Sequence, residues 1–155
     1  MGHQIRPRVF LGSNVLFSAL YSPGGAPDAI LTMFGEGRIR VVVSRQVLEE
    51  AVRAVQEKLP KALHTLSRLL MNIHLEVVED PSLSEFTRWA AVIHRGDAPI
   101  LAAAVAAQVD YLVTGDQHFF ESPTIAERTG LQIVTPAQFL ARLEEEARSF
   151  GQTGS

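Results

Sequence analysis

The sequence predicts an α/β fold built on a mainly parallel central sheet. Short runs rich in β-branched and aromatic residues, among them residues 39–43, Tyr111–Val113 and Gln132–Val134, alternate with longer amphipathic stretches. Strands that alternate with helices in this way pair in parallel through crossover connections. The leading runs also end in small or polar residues: Gly12-Ser13-Asn14, Ser44 and Thr114-Gly115-Asp116. In parallel α/β sheets, ligands sit outside the carboxyl ends of the strands, near the point where strand order reverses. Positions 12–14, 44–50 and 114–116 are therefore where a site is expected.

In chain order, Arg8–Leu11 reads as the first strand and residues 14–21 as a helix. Residues 22–27, with Pro23, Gly24, Gly25 and Pro27, read as a loop. Residues 28–34 look helical, with Asp28 as N-cap and Gly35 as the stop. Residues 39–43 form a buried strand, after which Ser44 caps a helix to about Lys58 with Val47, Leu48, Ala51 and Val55 on one face. Residues 60–71 read as an amphipathic helix and residues 74–78 as a short strand. Ser82 with Glu85 three positions on is a capping-box signature for the helix carrying Trp89. Asp97 stands before an alanine-rich helix, residues 98–107, expected to be buried on most faces. Tyr111–Val113 and Gln132–Val134 are the last strands, and Thr135-Pro136 starts a final helix that runs into Glu144-Glu145-Glu146. The 155 residues fit one domain, expected over residues 1–150, with 151–155 a disordered tail.

Composition narrows the chemistry. The absence of cysteine removes disulfides, thiolate metal sites and cysteine nucleophiles together. No apolar stretch is long enough for a membrane span and the N-terminus has no signal pattern, so a soluble cytoplasmic protein is the expectation. The net charge of −3 supplies no global basic field, so a nucleic-acid partner needs a local basic patch. Arg38, Arg40, Arg45 and Arg53 are the nearest candidates in the sequence, and each reads equally as solvated surface charge.

Three acids stand where the strand-end rule looks: Glu50 on the helix after the second strand, Asp97 before the alanine-rich helix, and Asp116 after the strand Tyr111–Val113. Each has a plainer reading. Asp97 serves as a helix cap, Asp116 as a turn residue and Glu50 as a solvated helix residue, with Glu49 competing for its role. Gathered at one rim, however, carboxylates repel one another unless a cation neutralises them. Hard divalent ions take carboxylate oxygens and keep several waters. A pair of such ions activates water and stabilises the leaving oxygen in phosphodiester cleavage.

The segments VFLGSNVLFSALYSPGGAP, VVVSRQVLEEAVRAV, GDAPILAAAVAAQVDYLVTGDQHFF and IVTPAQFL together resemble the PIN-domain family, in its prokaryotic nuclease and VapC-type toxin branches. The resemblance runs from about Arg8 to Leu140 and is most specific over DAPILAAA and DYLVTGD. It implies a three-layer α/β/α sandwich and a ribonuclease dependent on Mg²⁺ or Mn²⁺. It carries the family's acidic quartet onto position 12, Glu50, Asp97 and Asp116. Ser13 and Asn14 fall on small polar slots that support the site, and Thr114 on a slot whose hydroxyl steadies the last acid. Position 12, where the first Asp is expected, is Gly12. His94 is a softer departure, standing where related sequences often carry another acid. It reads as a partly exposed loop histidine or as an imidazole ligand for Mn²⁺.

Losing a ligand carboxylate should cost at least as much as losing a supporting partner, about 10–100-fold in metal affinity or activity. The expectation is a metal-dependent endoribonuclease of PIN type, the toxin of a toxin–antitoxin pair, impaired by Gly12 and binding metal weakly. The alternative is a catalytically inactive PIN-like domain that binds RNA or protein. A phosphoacceptor receiver domain needs an acidic pair at the first strand and a lysine near the last, and this chain has neither. RNA as substrate, an antitoxin protein and a homodimer follow from the resemblance. The helices at residues 28–34 and 60–71 are the candidate dimer faces, although both read equally as core.

Overall fold

The protein is described by a computed structural model covering residues 6–72 and 74–153. Five strands form one sheet: β1 (Arg8–Leu11), β2 (Arg40–Ser44), β3 (Glu76–Val78), β4 (Tyr111–Val113) and β5 (Gln132–Val134). All neighbours pair in parallel, in the order β3-β2-β1-β4-β5. Such a sheet has both faces covered, which explains the unbroken apolar runs: every residue of 9–11, 41–43 and 111–113 is buried.

The helices are α1 (Ser13–Tyr21), α2 (Ala26–Gly35), α3 (Arg45–Lys58), α4 (Leu63–Asn72), α5 (Leu83–Ala90), α6 (Ala98–Ala106), α7 (Pro123–Thr129) and α8 (Pro136–Thr153). The chain leaves β1 towards β2 and β3, then returns across the sheet to β4 on the far side of β1. Right-handed crossovers put the connections of these two halves on opposite faces. Accordingly α1 packs on α2 and α3, α3 on α4 and α2 on α8, while α5 packs on α6 in the other layer. The result is a three-layer α/β/α sandwich whose switch point lies between β1 and β4.

Most elements lie within a residue or two of their expected positions. Ser44 caps α3, its hydroxyl accepting from Val47 N at 3.2 Å. Ser82 and Glu85 form the reciprocal capping box. At α8, Thr135 Oγ1 accepts from Gln138 N while Gln138 Oε1 accepts from Thr135 N. Other expectations need correcting. Helix α2 begins at Ala26 with Gly25 in the cap position, so Asp28 is not its N-cap. The Asp28 carboxylate instead accepts from Gly24 N, bracing the preceding turn. Residues 60–62 form a separate 3₁₀ turn before α4. A second 3₁₀ turn, Gln117–Phe120, and helix α7 fill the stretch between β4 and β5. Helix α8 continues through residue 153, and the last two residues of the expected tail lie outside the described residues.

The core joins both layers through Phe10, Leu11, Ile30, Leu101, Leu112, Ile125 and Phe139. Helix α2 buries Ile30, Leu31, Met33 and Phe34, so its apolar face belongs to this core. No helix among the described residues is long and apolar enough to cross a membrane.

Candidate functional site

Among the described residues, the buried polar and charged ones are Ser44, Asp97 and Thr114. Ser44 ends β2 and Thr114 follows β4, so the burial of polar groups points to the carboxyl end of the sheet. Buried polar groups are retained where partners satisfy them.

A cavity of about 350 Å³ opens there, lined by Gly12, Ser13, Asn14, Glu50, Asp97, Thr114 and Asp116. The three acids, Ser13, Asn14 and Thr114 therefore face one space with Gly12. Glu50 lines the cavity, whereas Glu49 is exposed on the neighbouring helix position. Local reasons place each group. The Gly12 N–H donates to Val113 O at 3.0 Å, which joins the tips of β1 and β4. Ser13 opens α1 there, and its hydroxyl donates to Glu50 Oε1 at 3.3 Å across to α3. Gln46, one turn before Glu50, holds the other carboxylate oxygen at 3.5 Å. Asn14 Oδ1 accepts from Gly115 N at 3.5 Å, tying α1 to the end of β4. Thr114 Oγ1 accepts from Asp116 N at 3.0 Å and so sets the backbone that carries the last acid.

Asp97 occupies the cap position of α6, but its side chain makes no capping bond. The carboxylate turns instead to His118, with Oδ2 2.7 Å from Nδ1. The plain reading of Asp97 as a helix cap therefore fails. Burial, and next the Asp116 carboxyl beside it, push Asp97 above the usual carboxylate range, with His118 partly opposing. The bond to Asp97 raises the His118 imidazole in turn. His118 Nδ1 also lies 3.4 Å from Asp116 Oδ1, and the His118 N–H donates to that oxygen at 3.0 Å. The His94 ring stacks on the His118 ring with centroids 4.7 Å apart.

The sequence reading missed His118. The only signal was its spacing, two residues beyond Asp116, on a 3₁₀ turn that folds back over the rim. The basic strip also needs correction. Of Arg38, Arg40, Arg45 and Arg53, only Arg53 lines the cavity, joined by Lys58 from the end of α3. Arg40 begins β2 and so lies at the opposite end of the sheet, and Arg38 pairs with Glu36 at 3.6 Å.

Gly12 has φ −73° and ψ 159°, extended backbone that any residue adopts. A Cβ there would lie 3.1 Å from Asn14 Oδ1, 3.5 Å from Thr114 Oγ1 and 3.7 Å from Val113 O. The tightest neighbour is the far end of an exposed, flexible side chain. Neither backbone conformation nor space demands glycine at this position.

The fold and the rim thus define a parallel α/β domain with an acidic pocket at its switch point. The chain belongs to the PIN-domain family, whose model matches residues 8–118. No curated protein of matching sequence was found. Among solved structures, PAE2754 from Pyrobaculum aerophilum aligns with a TM-score of 0.62 and 18% identity, over 92% of this chain and 99% of that one. VapBC2 from Rickettsia felis, bound to a DNA fragment from their promoter, aligns with a TM-score of 0.60 and 18% identity, over 81% and 96%. FitAcB from Neisseria gonorrhoeae aligns with a TM-score of 0.59 and 16% identity, over 83% and 97%. At these identities the likeness is one of fold.

Proposed function

We propose that this chain is a PIN-type endoribonuclease of the VapC toxin branch, dependent on Mg²⁺ or Mn²⁺ and impaired by Gly12. The observation that carries the reading is the meeting of Glu50, Asp97 and Asp116, from three separate segments, in one cavity with Ser13, Asn14 and Thr114. A carboxyl such as Asp97, raised by burial and next by a neighbouring acid, is a mark of functional sites.

The oxygen donors suit a hard divalent ion. Glu50, Asp97 and Asp116 would hold it, and without a carboxylate at position 12 they fit one ion better than two. When bound, such an ion supplies an activated water and stabilises the leaving oxygen of a phosphodiester. The chain's own residues do the rest. Ser13 and Gln46 aim Glu50, and Thr114 holds the backbone of Asp116. Arg53 and Lys58 offer positive charge to the RNA phosphates beside the acids. An antitoxin partner, a homodimer and a cytoplasmic location belong to the same reading. With α2 taken up by the core, α4 is the remaining dimer face, and its Met71 is 84% exposed.

A second reading, an inactive PIN-like domain that binds RNA or protein, is favoured by Gly12 itself. The two separate in one experiment: cleavage of a structured RNA panel in Mn²⁺ or Mg²⁺, with EDTA controls, comparing this chain with Gly12→Asp. Cleavage by the aspartate variant at a rate at least about 10–100-fold higher supports the nuclease. Silence of both forms alongside retained RNA binding supports the binding domain. Robust cleavage by the unsubstituted chain would overturn the role given to position 12.

A further inference from the structure

Two histidines stand at the rim that the acidic reading does not use. We infer that His94, Asp97 and His118, with Asp116 alongside, form a mixed nitrogen and oxygen site for a borderline ion, of which Zn²⁺ is the type, in preference to Mg²⁺. The inference shares Asp97 and Asp116 with the proposed nuclease site, but it requires neither cleavage nor an acid at position 12.

The geometry comes first. One ligand atom each from His94, Asp97 and His118 can be chosen so that all lie within 4.8 Å of one another. Two of them, His94 and Asp97, come from the turn that leads into α6, and His118 comes from the 3₁₀ turn after β4. Two atoms bound to a tetrahedral zinc at about 2.0–2.2 Å lie about 3.3–3.6 Å apart. His118 Nδ1 is 3.4 Å from Asp116 Oδ1 as it stands. Its 2.7 Å approach to Asp97 Oδ2 would open slightly, and the 4.0 Å between His94 Nδ1 and Asp97 Oδ2 would close. Both moves fall to half-exposed imidazoles, whose side chains are 43% and 64% exposed for His118 and His94, around a largely buried Asp97.

Preorganisation comes second. His94 Nδ1 accepts from Gly96 N at 3.2 Å, so its one lone pair is turned to an N–H that an incoming ion would have to displace. Stacking at 4.7 Å with planes 16° apart keeps the two rings together face to face, and a tilt of the exposed His94 ring would aim both lone pairs at one ion. Asp116 is fixed by the His118 N–H at 3.0 Å, as ligating carboxylates usually are by a supporting bond.

The donor set then decides the ion. Mg²⁺ wants oxygen ligands in an octahedron and sheds water reluctantly. Imidazole suits zinc, nickel and copper, and affinity for mixed nitrogen and oxygen sites rises along the first-row series. With one carboxylate replaced by Gly12 and two imidazoles present, the rim of this chain departs from a hard-ion cradle in the direction of zinc.

The test is titration of the full-length, metal-stripped chain with Zn²⁺, Co²⁺ and Mg²⁺ by calorimetry, with visible absorption of the Co²⁺ form reporting nitrogen ligation. The result expected is one Zn²⁺ per chain, bound at least about 100-fold more tightly than Mg²⁺. His118→Gln and His94→Gln should each weaken zinc by about 10-fold or more. His64→Gln, on the exposed face of α4, should leave it unchanged. Circular dichroism confirms that each variant is folded. Equal affinity for Mg²⁺ and Zn²⁺, or zinc binding indifferent to both rim histidines, overturns the inference. So does an absence of zinc binding, which would leave His118–Asp97 as an ion pair only. Cleavage by Gly12→Asp in Mg²⁺ without zinc binding would sink this site and leave the nuclease reading standing. Zinc binding without cleavage would do the reverse.

Discussion

The two ends of the sheet handle charge in opposite ways. At the amino end, Arg8 grips Glu76 through both terminal guanidinium nitrogens, at 2.5 and 2.8 Å, reaching past β2 from β1 to β3. Its Nε donates to Ala107 O at 2.9 Å, and its backbone N–H donates to Asp110 Oδ2 at 2.8 Å. The Arg8 guanidinium holds Glu76 below the usual carboxylate range, and Glu76 raises Arg8 in return. At the carboxyl end, burial and Asp116 push Asp97 up. Among the described residues no arginine or lysine is paired with Glu50, Asp97 or Asp116. One end has matched its charges to staple three strands and the β4 approach together. The other gathers Glu50, Asp97 and Asp116 around one cavity with the His118 imidazole beside two of them, the arrangement that the proposed cation site requires.

The comparison breaks most readily at Arg8. Arg8→Ala should lower stability by roughly 2 kcal/mol in a urea melt, since hydrogen bonds to charged groups contribute about 1.5–3 kcal/mol. The lower part of that range applies, because Glu76 is 45% exposed and solvent screens the pair. An unchanged midpoint would mean that the amino end is not a clamp. Gly12→Asp should do the opposite of what an added polar contact usually does. In EDTA it should destabilise by about 1 kcal/mol, through a fourth acid and a Cβ set 3.1 Å from Asn14 Oδ1. Excess Mn²⁺ should reverse that loss by mass action on the folded state. A melting temperature blind to metal in the variant would argue against position 12 as a ligand. Asp97→Asn should raise stability in EDTA by about 0.5 kcal/mol, the scale of one relieved like-charge contact between neighbouring side chains. A fall of that size would mean that its bond to His118 outweighs the repulsion.

How much of this was legible in the sequence follows the range of the interactions involved. The strands were readable because a sheet covered on both faces demands continuous apolar runs, and Val41–Val43 and Tyr111–Val113 supply them. Caps that close within three residues, at Ser44, Ser82 and Thr135, were readable for the same local reason. Helix α7 carries comparable local signals, Ser122 before Pro123 and a left-handed Gly130 at its end. Asp28 and Asp97 misled because a capping residue type says where an oxygen is, not where it turns. Asp28 turns back to Gly24, and Asp97 turns outward to His118, 21 positions on. Arg40 failed on length, whereas Arg53 reached the cavity. Arg40 is near Glu50 in sequence, but a strand rising about 3.3 Å per residue carries them to opposite ends of β2.

The smallest effect is also the sharpest contrast between the two ends, because their acid sensitivities carry opposite signs. Glu76 has a folded-state pKa below its unfolded value. Its contribution is complete above the unfolded value of about 4.5 and is lost as pH falls through the folded one. Asp97 is raised, so its contribution is complete below the unfolded value and is lost as pH rises through the folded one. His118, also raised, adds a loss of the same sign as pH climbs past the ordinary histidine range. Subtracting the Glu76→Gln stability profile from that of the unsubstituted chain, in EDTA between about pH 3 and 8, should leave a term that grows with pH and then levels off. Subtracting the Asp97→Asn profile should leave one that declines with pH. Parallel difference curves would show that the rim charges are neutralised within the fold as fully as those at the amino end, and the case for a waiting cation would lose its electrostatic support.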